Sequence, residues 1–264
     1  MSDVITERDG GVVTLTLNRP QARNALSDDM IRSLDSAFAS GERDESVRAY
    51  VIRGAGDHFM AGGDVKDFYA KRINPPEQRR VDTERLVHQL HLLIYRMRRA
   101  PQPIVASMRG GVAGFGMSLM MACDIAIAAE DAFFTLAYRH IGLSPDGSST
   151  WSLPRIIGTR KAMELALLGE RLNAPEALRL GLVNKLAPAA ALDEETIKLA
   201  ERLASGPGRA LAHTKRLLNA SLDNTLETQL HMEGAAVADC MASEDLKEGV
   251  TAFVEKRAPR FTGK

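Results

Sequence analysis

The sequence has few of the residues that would indicate a disulfide scaffold or a polyanionic partner. Its 264 residues include only two cysteines, Cys123 and Cys240, which lie far apart in apolar or helical patterns. A disulfide framework is therefore not expected, and a reducing compartment is favoured. Lysine and arginine together number 34, as do aspartate and glutamate, so there is no net charge to attract nucleic acid or an anionic membrane surface.

Long apolar runs are also missing from the sequence. The first residues, MSDVITERDGG, carry charges where a secretory signal peptide has an apolar stretch, and no run approaches the length of a membrane span. The six histidines form no metal-ligand pattern, because His88 and His91 are three residues apart without a third ligand nearby. We expect a cytoplasmic protein that holds no metal and binds neither membrane nor nucleic acid.

Short strand-like runs and amphipathic helical runs follow one another in the order strand, strand, helix. The turn Asp9-Gly10-Gly11 predicts a hairpin, and Ser27 and Asp64 predict helix caps. This order predicts an α/β fold of stacked ββα units, whereas a doubly wound sheet would alternate plainly. The predicted strands are Val4–Glu7, Val12–Asn18, Val47–Arg53, Ile104–Met108 and Ile125–Ala128, and the C-terminal helical runs are Leu199–Leu203, Ala210–Leu218, Leu226–Met241 and Leu246–Phe253.

Two glycine-rich segments, FMAGGD and GGVAGFG, each pass directly into a predicted helix. The first backbone N–H groups of a helix have no partner within it and lie at the positive end of its dipole. If both turns point at one spot, they form an oxyanion hole, in which each donor contributes about 2.7–4 kcal/mol of transition-state stabilisation. Two alternatives remain open: the glycines only permit tight packing, or GGVAGFG holds a dinucleotide, although the strand before it lies in the middle of the chain.

The segment IGLSPDGSSTW contains a single carboxylate, Asp146, among small and apolar residues. Pro-Asp-Gly is typical of a surface turn, and Asp146 or Ser148 is equally suited to cap the helix that follows. However, Ile141, Leu143 and Trp151 are too apolar for an ordinary exposed turn, and a carboxylate in such surroundings suits a general acid or base. The local sequence leaves these alternatives open.

Two further side chains have both a structural and a functional interpretation. His91 lies beside the apolar stripe of a long helix, so it is either a buried structural histidine or a residue at the edge of a pocket. Ser118 can be combined with His91 and Asp146 as a nucleophile, although its position inside an apolar helix favours simple packing.

Three segments together resemble the enoyl-CoA hydratase/isomerase (crotonase) family: FMAGGDVKDF, PIVASMRG followed by GVAGFGMSLMMACDIAIAAEDAFF, and IGLSPDGSSTWSLPRIIGTRKAMELALLGERLNAPEALRLGLVNKL. The similarity implies a crotonase-like spiral of ββα units with the acyl-CoA site over residues 1–195, and a helical trimerisation region over residues 196–264. It also implies a homotrimer or a dimer of trimers that binds acyl-CoA thioesters. Coenzyme A is then part of the substrate, and no separate cofactor is expected.

The resemblance also assigns site residues by position. In the family, two backbone N–H groups hold the thioester oxygen, and these positions match Gly63 and Phe115, the second of which is more often a glycine. The positions that hold coenzyme A match Arg23, Asn24 and Ala25, the turn with Ala61, Gly63, Asp64 and Val65, and, for the coenzyme A of a neighbouring subunit, Phe253 and Lys256.

Departures from the family pattern favour one reaction over the others. Family hydratases use two glutamates, and the matching positions here are Ser118 and Tyr138, which cannot act as carboxylates. Asp146 matches the single acid/base carboxylate of family isomerases that move a double bond from the 3- to the 2-position or isomerise an aryl-CoA ring. We therefore expect an isomerase. The alternatives are an enoyl-CoA hydratase, an aryl-CoA dehalogenase that uses Asp146 and His91, and a non-catalytic acyl-CoA-binding protein.

Overall fold

In a computed structural model, which describes residues 2–264, the strands form two sheets. Met1, the first residue of the segment MSDVITERDGG, lies outside the described residues. The large sheet has the spatial order β1 (Val4–Asp9), β2 (Val12–Leu17), β3 (Ala49–Gly54), β4 (Ile104–Met108), β6 (Ile125–Ala129) and β9 (Lys185–Ala187), and the small sheet has the order β5 (Gly111–Ala113), β7 (Phe133–Thr135) and β8 (Leu172–Asn173).

The strands of the large sheet are parallel except at one edge. There β1 and β2 form the predicted antiparallel hairpin, in which Val4 lies opposite Leu17. Each following pair in that sheet is parallel, as are β5 and β7, whereas β7 and β8 are antiparallel. An isolated bridge between Met60 and Val112 connects the segment after β3 to the small sheet.

Helices follow the pairs of strands, so the predicted stacking of ββα units is confirmed. Helix α1 follows the first hairpin, and Ser27 caps it as predicted by accepting a hydrogen bond from the N–H of Met30. The helices are α1 (Asp28–Gly41), α2 (Val65–Lys71), α3 (Pro76–Arg99), α4 (Phe115–Met121), α5 (Ser149–Ile157), α6 (Thr159–Leu168), α7 (Ala174–Arg179), α8 (Leu192–Ala204), α9 (Gly208–Ala220), α10 (Leu226–Met241) and α11 (Glu244–Glu255).

Both faces of the large sheet are buried along its central strands β2, β3, β4 and β6, as is usual for parallel sheets. Along β3, Tyr50 and Ile52 belong to the main core with residues of α1 and α3, while Val51 belongs to a second apolar cluster with residues of α8. The expected boundary between residues 195 and 196 falls inside α8, which contacts β2, β3, β4 and β6. This helix therefore packs as part of the core.

An ion pair of low exposure fastens α9 to the core. The Lys215 ammonium lies 2.8 Å from a carboxylate oxygen of Asp124, and the two side chains are 8% and 24% exposed. Lys215 also donates to the carbonyl oxygen of Gln102, and Asp124 accepts from the N–H of Ile104. The middle of α9 is thereby joined to the beginnings of β4 and β6.

Large apolar side chains remain exposed along the C-terminal helices. Within residues 2–264, no helix is long and apolar enough to cross a membrane. Both cysteines are free thiols. The exposed apolar residues of the helices from α9 onward, and of the turn after α9, are Leu218, Leu222, Leu226, Leu230, Val237, Met241, Val250, Phe253 and Val254.

Candidate active site

A cavity of about 640 Å³ lies where α1, α2 and α3 face the turns that precede α4 and α5. Its inner wall is largely apolar, and charged side chains from the beginnings of α1 and α2 line its mouth. Of the residues predicted for the site, six line this cavity: Ala61, Gly63, Asp64, Val65, Phe115 and Asp146.

The two glycine-rich turns touch each other at this cavity. A Cβ atom on Gly62 would lie 3.2 Å from the Cα of Gly114 and 3.4 Å from the backbone nitrogen of Phe115. Gly62 has a φ of +99°, and Gly114 has φ 53° and ψ −123°, which are conformations that glycine adopts without strain. The close approach therefore depends on glycine at both positions.

This contact brings two backbone donors together. Phe115 is the first residue of α4, and Gly63 directly follows the contact at Gly62. Within residues 2–264, neither of their N–H groups donates to a protein acceptor. Two such donors at a cavity wall can bind an oxygen that carries negative charge, which is the arrangement that the sequence predicted.

Asp146 lies on the turn that packs against the Phe115 side of this arrangement. A Cβ atom on Gly147 would lie 2.7 Å from the Phe115 ring and 2.8 Å from the Cβ of Ser118. The backbone carbonyl of Asp146 accepts hydrogen bonds from the Ser118 hydroxyl at 2.9 Å and from the Ser149 hydroxyl at 2.8 Å. The turn is therefore held on the beginning of α4.

The carboxylate of Asp146 has no capping role. Helix α5 begins at Ser149 without a side-chain cap, so the expectation that Asp146 or Ser148 caps it is wrong. The Asp146 Oδ1 atom instead accepts a hydrogen bond of 2.6 Å from the Tyr138 hydroxyl. Among residues 2–264, no donor reaches Oδ2, so this oxygen is available to a ligand in the cavity.

Tyr138 is a hydrogen-bond donor in this pair. Burial and the charge of Asp146 raise the pKa of Tyr138 well above its ordinary value, so its hydroxyl stays protonated. Tyr138 begins a short 3-10 helix directly after Ala137, which has a left-handed φ of 55°. The neutral phenol therefore donates its proton to Oδ1 of Asp146.

Two other carboxylates on the cavity, those of Asp64 and Asp67, are already paired. Burial alone would raise the pKa of Asp64, but the Arg19 guanidinium and the N–H groups of Asp67 and Lys66 outweigh it and lower that pKa. Asp64 also caps α2, as the sequence predicted. At the exposed mouth, Asp67 pairs with Lys71 on α2.

The predicted nucleotide-binding segment is mostly structural. The Asn24 side chain is fully buried: its oxygen accepts from the N–H of Arg19, and its amide nitrogen donates to the carbonyls of Ala55 and His58. All of its hydrogen bonds thus serve the turn, so the side chain is not available to a nucleotide, contrary to expectation. Neither Arg23 nor Ala25 lines the cavity, although the Arg23 carbonyl accepts from the N–H of Ala61.

His91 lines a different cavity from the one that contains Asp146. That second cavity, of about 970 Å³, lies between α3, α5 and α9, and it is also lined by Trp151 and Arg98. Within residues 2–264, no hydrogen bond joins His91 to Asp146, and Trp151 lines the second cavity with His91. The predicted set of Ser118, His91 and Asp146 is not assembled either, because the Ser118 hydroxyl donates to a backbone carbonyl.

Phe253 and Lys256 lie at the end of α11 and do not line the cavity. Phe253 is 86% exposed, and Lys256 ends the helix in a left-handed conformation. A role toward coenzyme A would therefore require another subunit.

Sequence reasoning misses several residues that line the cavity, among them Leu136 and Arg19. Leu136 and Phe68 contribute to its apolar wall, and the Phe68 ring lies 2.8 Å from a Cβ atom built on Gly63. Arg19 joins Asp64 to the backbone carbonyl of Ala25, and its only sequence signal is its position after a predicted strand. In the described part of the chain, no group of three or more histidine, cysteine, aspartate and glutamate side chains is arranged to hold a metal ion.

Known proteins match the chain over nearly its whole length. The family model described as Enoyl-CoA hydratase/isomerase matches residues 7–264. The 1,2-epoxyphenylacetyl-CoA isomerase of Escherichia coli (strain K12) is 37% identical over 100% of both chains. The short-chain-enoyl-CoA hydratase of Clostridium acetobutylicum is 32% identical over 97% of this chain and 96% of its own. The crystal structure of an enoyl-CoA hydratase from Polaromonas sp. JS666 matches with a TM-score of 0.92 and 36% identity, over 98% of this chain and 99% of that one.

Proposed function

The chain belongs to the enoyl-CoA hydratase/isomerase family and has the crotonase fold, and from that premise we propose that it moves a double bond within an acyl-CoA thioester. The substrate class is a 3-enoyl-CoA that becomes a 2-enoyl-CoA, or an aryl-CoA whose ring is isomerised. The relative from Escherichia coli is named as an isomerase of an aryl-CoA derivative, which supports the second form.

The reaction needs one base and one oxyanion site. The thioester oxygen accepts hydrogen bonds from the N–H groups of Gly63 and Phe115, and Oδ2 of Asp146 removes a proton from the α-carbon. The electrons of that C–H bond move into the thioester, and the resulting enolate oxygen carries the negative charge beside the two donors. Asp146 then delivers a proton to the γ-carbon, and the double bond forms between the α- and β-carbons, so the substrate keeps its number of protons.

One observation carries this proposal. Within residues 2–264, one oxygen of the Asp146 carboxylate has no protein donor, and its turn packs against Phe115, whose N–H group has no protein acceptor there. Ser118 and Tyr138 occupy the positions of the two hydratase glutamates and supply no second carboxylate. A single carboxylate suffices for proton transfer within one substrate, whereas hydration also requires a group that activates water.

Of the alternative reactions, dehalogenation has less support. It requires a histidine that activates water beside the aspartate, and His91 lines the second cavity. Several relatives are named as hydratases, which keeps hydration as an outcome that the experiment below must distinguish.

We also propose that the protein assembles as a homotrimer or a dimer of trimers through its C-terminal helices. The support is the exposed apolar surface on α9, α10 and α11, since apolar surfaces of this extent on a folded chain usually mark interaction sites. Phe253 and Lys256 would then reach the coenzyme A of a neighbour, and Ala61, Asp64 and Val65 would contact the one bound by their own subunit.

The test is Asp146→Asn, which keeps the shape of the site but removes the base. With a 3-enoyl-CoA, kcat should fall about 10²–10⁴-fold, while the Kd of a saturated acyl-CoA stays within about twofold. The formation of the conjugated thioester is followed by its ultraviolet absorbance, and in D₂O the α-carbon should acquire deuterium only with the parent protein. Asp28→Asn is the matched control, because Asp28 lines the mouth of the same cavity and is exposed.

Three results would contradict the proposal. Asp146→Asn with the activity of the parent would remove Asp146 from the mechanism. A parent protein that hydrates a 2-enoyl-CoA faster than it isomerises a 3-enoyl-CoA would be a hydratase. The absence of α-carbon exchange with every thioester tested, including an epoxyphenylacetyl-CoA, would indicate a binding protein.

A further inference from the structure

The two positions that hold glutamates in family hydratases are here joined to Asp146 by hydrogen bonds. The Tyr138 hydroxyl donates to Oδ1 of the carboxylate at 2.6 Å, and the Ser118 hydroxyl donates to the backbone carbonyl of the same residue at 2.9 Å. We infer that Tyr138 and Ser118 are positioning residues, which together fix the orientation of Asp146 so that Oδ2 alone moves the proton. This inference rests on the proposed function.

Tyr138 is well placed to fix the carboxylate because its own backbone is fixed. Its N–H donates to the Leu136 carbonyl at 2.7 Å, and its carbonyl accepts from the N–H of Leu143 at 3.1 Å. The second bond closes the loop that leads to Asp146. The phenol and the carboxylate are therefore attached to the same short segment, in which neither can rotate freely while the hydrogen bond persists.

Ser118 holds the other end of the aspartate. Its side chain is fully buried on α4, in the same helix whose first N–H belongs to Phe115. A bond from Ser118 to the Asp146 carbonyl thus couples the position of the base to the helix that carries one of the oxyanion donors. The distance between the base and the thioester oxygen is then set by one rigid element.

The hydrogen-bond pattern also distinguishes the two carboxylate oxygens. Oδ1 accepts the phenol proton, and within residues 2–264 no protein donor reaches Oδ2. A phenol that stays protonated cannot take the substrate proton, so Tyr138 acts through Asp146 and does not replace it. Loss of the phenol would leave a carboxylate that rotates among several orientations, of which only some are reactive.

The experiment compares Tyr138→Phe, Ser118→Ala and the control Tyr95→Phe. Tyr95 is exposed on α3 and lines the second cavity. Tyr138→Phe should lower kcat for a 3-enoyl-CoA about 10- to 100-fold, because misplacement of a reacting group by about 1 Å costs up to that factor. Ser118→Ala should lower kcat by a smaller factor. In both variants KM and the Kd of a saturated acyl-CoA should stay within about twofold, and Tyr95→Phe should match the parent in every respect.

The double variants test whether the two residues act through Asp146. Tyr138→Phe combined with Asp146→Asn should be no slower than Asp146→Asn alone, and the same should hold for Ser118→Ala combined with Asp146→Asn. Factors that multiply in the double variants would overturn the inference, since the residues would then act independently of the carboxylate. Equal kcat in Tyr138→Phe and the parent would also overturn the inference. If only Asp146→Asn loses activity, the positioning role is rejected but the proposed function is retained.

Folding is checked by circular dichroism, and two further results would decide against positioning. If Tyr138→Phe does not fold, Ser118→Ala with unchanged kcat is sufficient to reject the inference. If either variant raises KM and the Kd of the saturated thioester by the factor by which it lowers kcat/KM, the residue shapes the cavity and does not position the base.

Discussion

The ion pair between Asp124 and Lys215 should dominate the stability of the connection between the core and the C-terminal helices. Lys215→Met retains most of the side-chain volume but removes the ammonium, which leaves the partly buried Asp124 carboxylate without its cationic partner. Breaking one side of a fully buried pair typically costs about 3–5 kcal/mol, and because Asp124 is partly exposed we expect a smaller loss, of about 1–3 kcal/mol, in the free energy of unfolding at pH 7. Lys198→Met is the control, because Lys198 forms an exposed pair with Glu194 on α8, for which less than about 1 kcal/mol is expected.

The stability difference between the parent and Lys215→Met should depend on pH. Burial raises the pKa of Asp124 in the folded state, and Lys215 acts in the opposite direction. A carboxyl with a raised pKa favours folding most below its unfolded pKa of about 3.9, and this contribution is lost as the pH rises through the folded pKa. Removal of Lys215 raises that pKa further, so the difference between parent and variant should be largest at neutral pH and shrink as the pH falls toward 4.

Urea unfolding of the parent and both variants between pH 7 and pH 4.5 measures these differences. A loss below about 1 kcal/mol at pH 7 that does not change with pH would refute the reasoning, because it would mean that water solvates Asp124 as well as it solvates an exposed carboxylate.

Two other substitutions test where the structure departs from expectation. His91→Ala should leave kcat and KM for a 3-enoyl-CoA within about twofold of the parent, and a loss of activity above 10²-fold, as for removal of a general base, would bring the dehalogenase mechanism back. Asn24→Ala should lower the free energy of unfolding by about 1–3 kcal/mol, because it leaves the backbone carbonyls of Ala55 and His58 without their donor. KM of the folded variant should stay unchanged. A raised KM with unchanged stability would instead restore Asn24 to the substrate site.

The sequence predicts the longer elements of this fold and misses the shortest ones. Helix α10 has the bounds that its apolar pattern predicts, and β4 likewise spans Ile104–Met108. Strands β5, β7, β8 and β9 contain only two or three residues, which is too few for an alternating pattern to be recognised. They form because the neighbouring units supply their partners, and this information is not local.

The site shows the same limit at the level of single residues. The N-cap at Asp64 follows from local chemistry, and it was predictable from sequence. Leu90 lines the cavity with Asp146, whereas His91 lines the other cavity, because successive residues of a helix point about 100° apart. The apolar stripe beside His91 did not indicate which of the two cavities it would face. The hydrogen bond from Tyr138 to Asp146 follows a left-handed backbone conformation at Ala137. Alanine rarely adopts this conformation, so the sequence does not predict it.

The contact between the two glycine-rich turns places the strictest sequence requirement on Gly62 and Gly114, although the N–H donors belong to Gly63 and Phe115. Any amino acid except proline at position 115 supplies the same N–H group, and a side chain at Gly63 would meet only the movable ring of Phe68. Gly62 and Gly114, in contrast, combine a glycine backbone conformation with contact to each other. A saturation-mutagenesis map of this protein should therefore mark intolerance one residue before each donor, and a search for active-site side chains in such a map would overlook the oxyanion site.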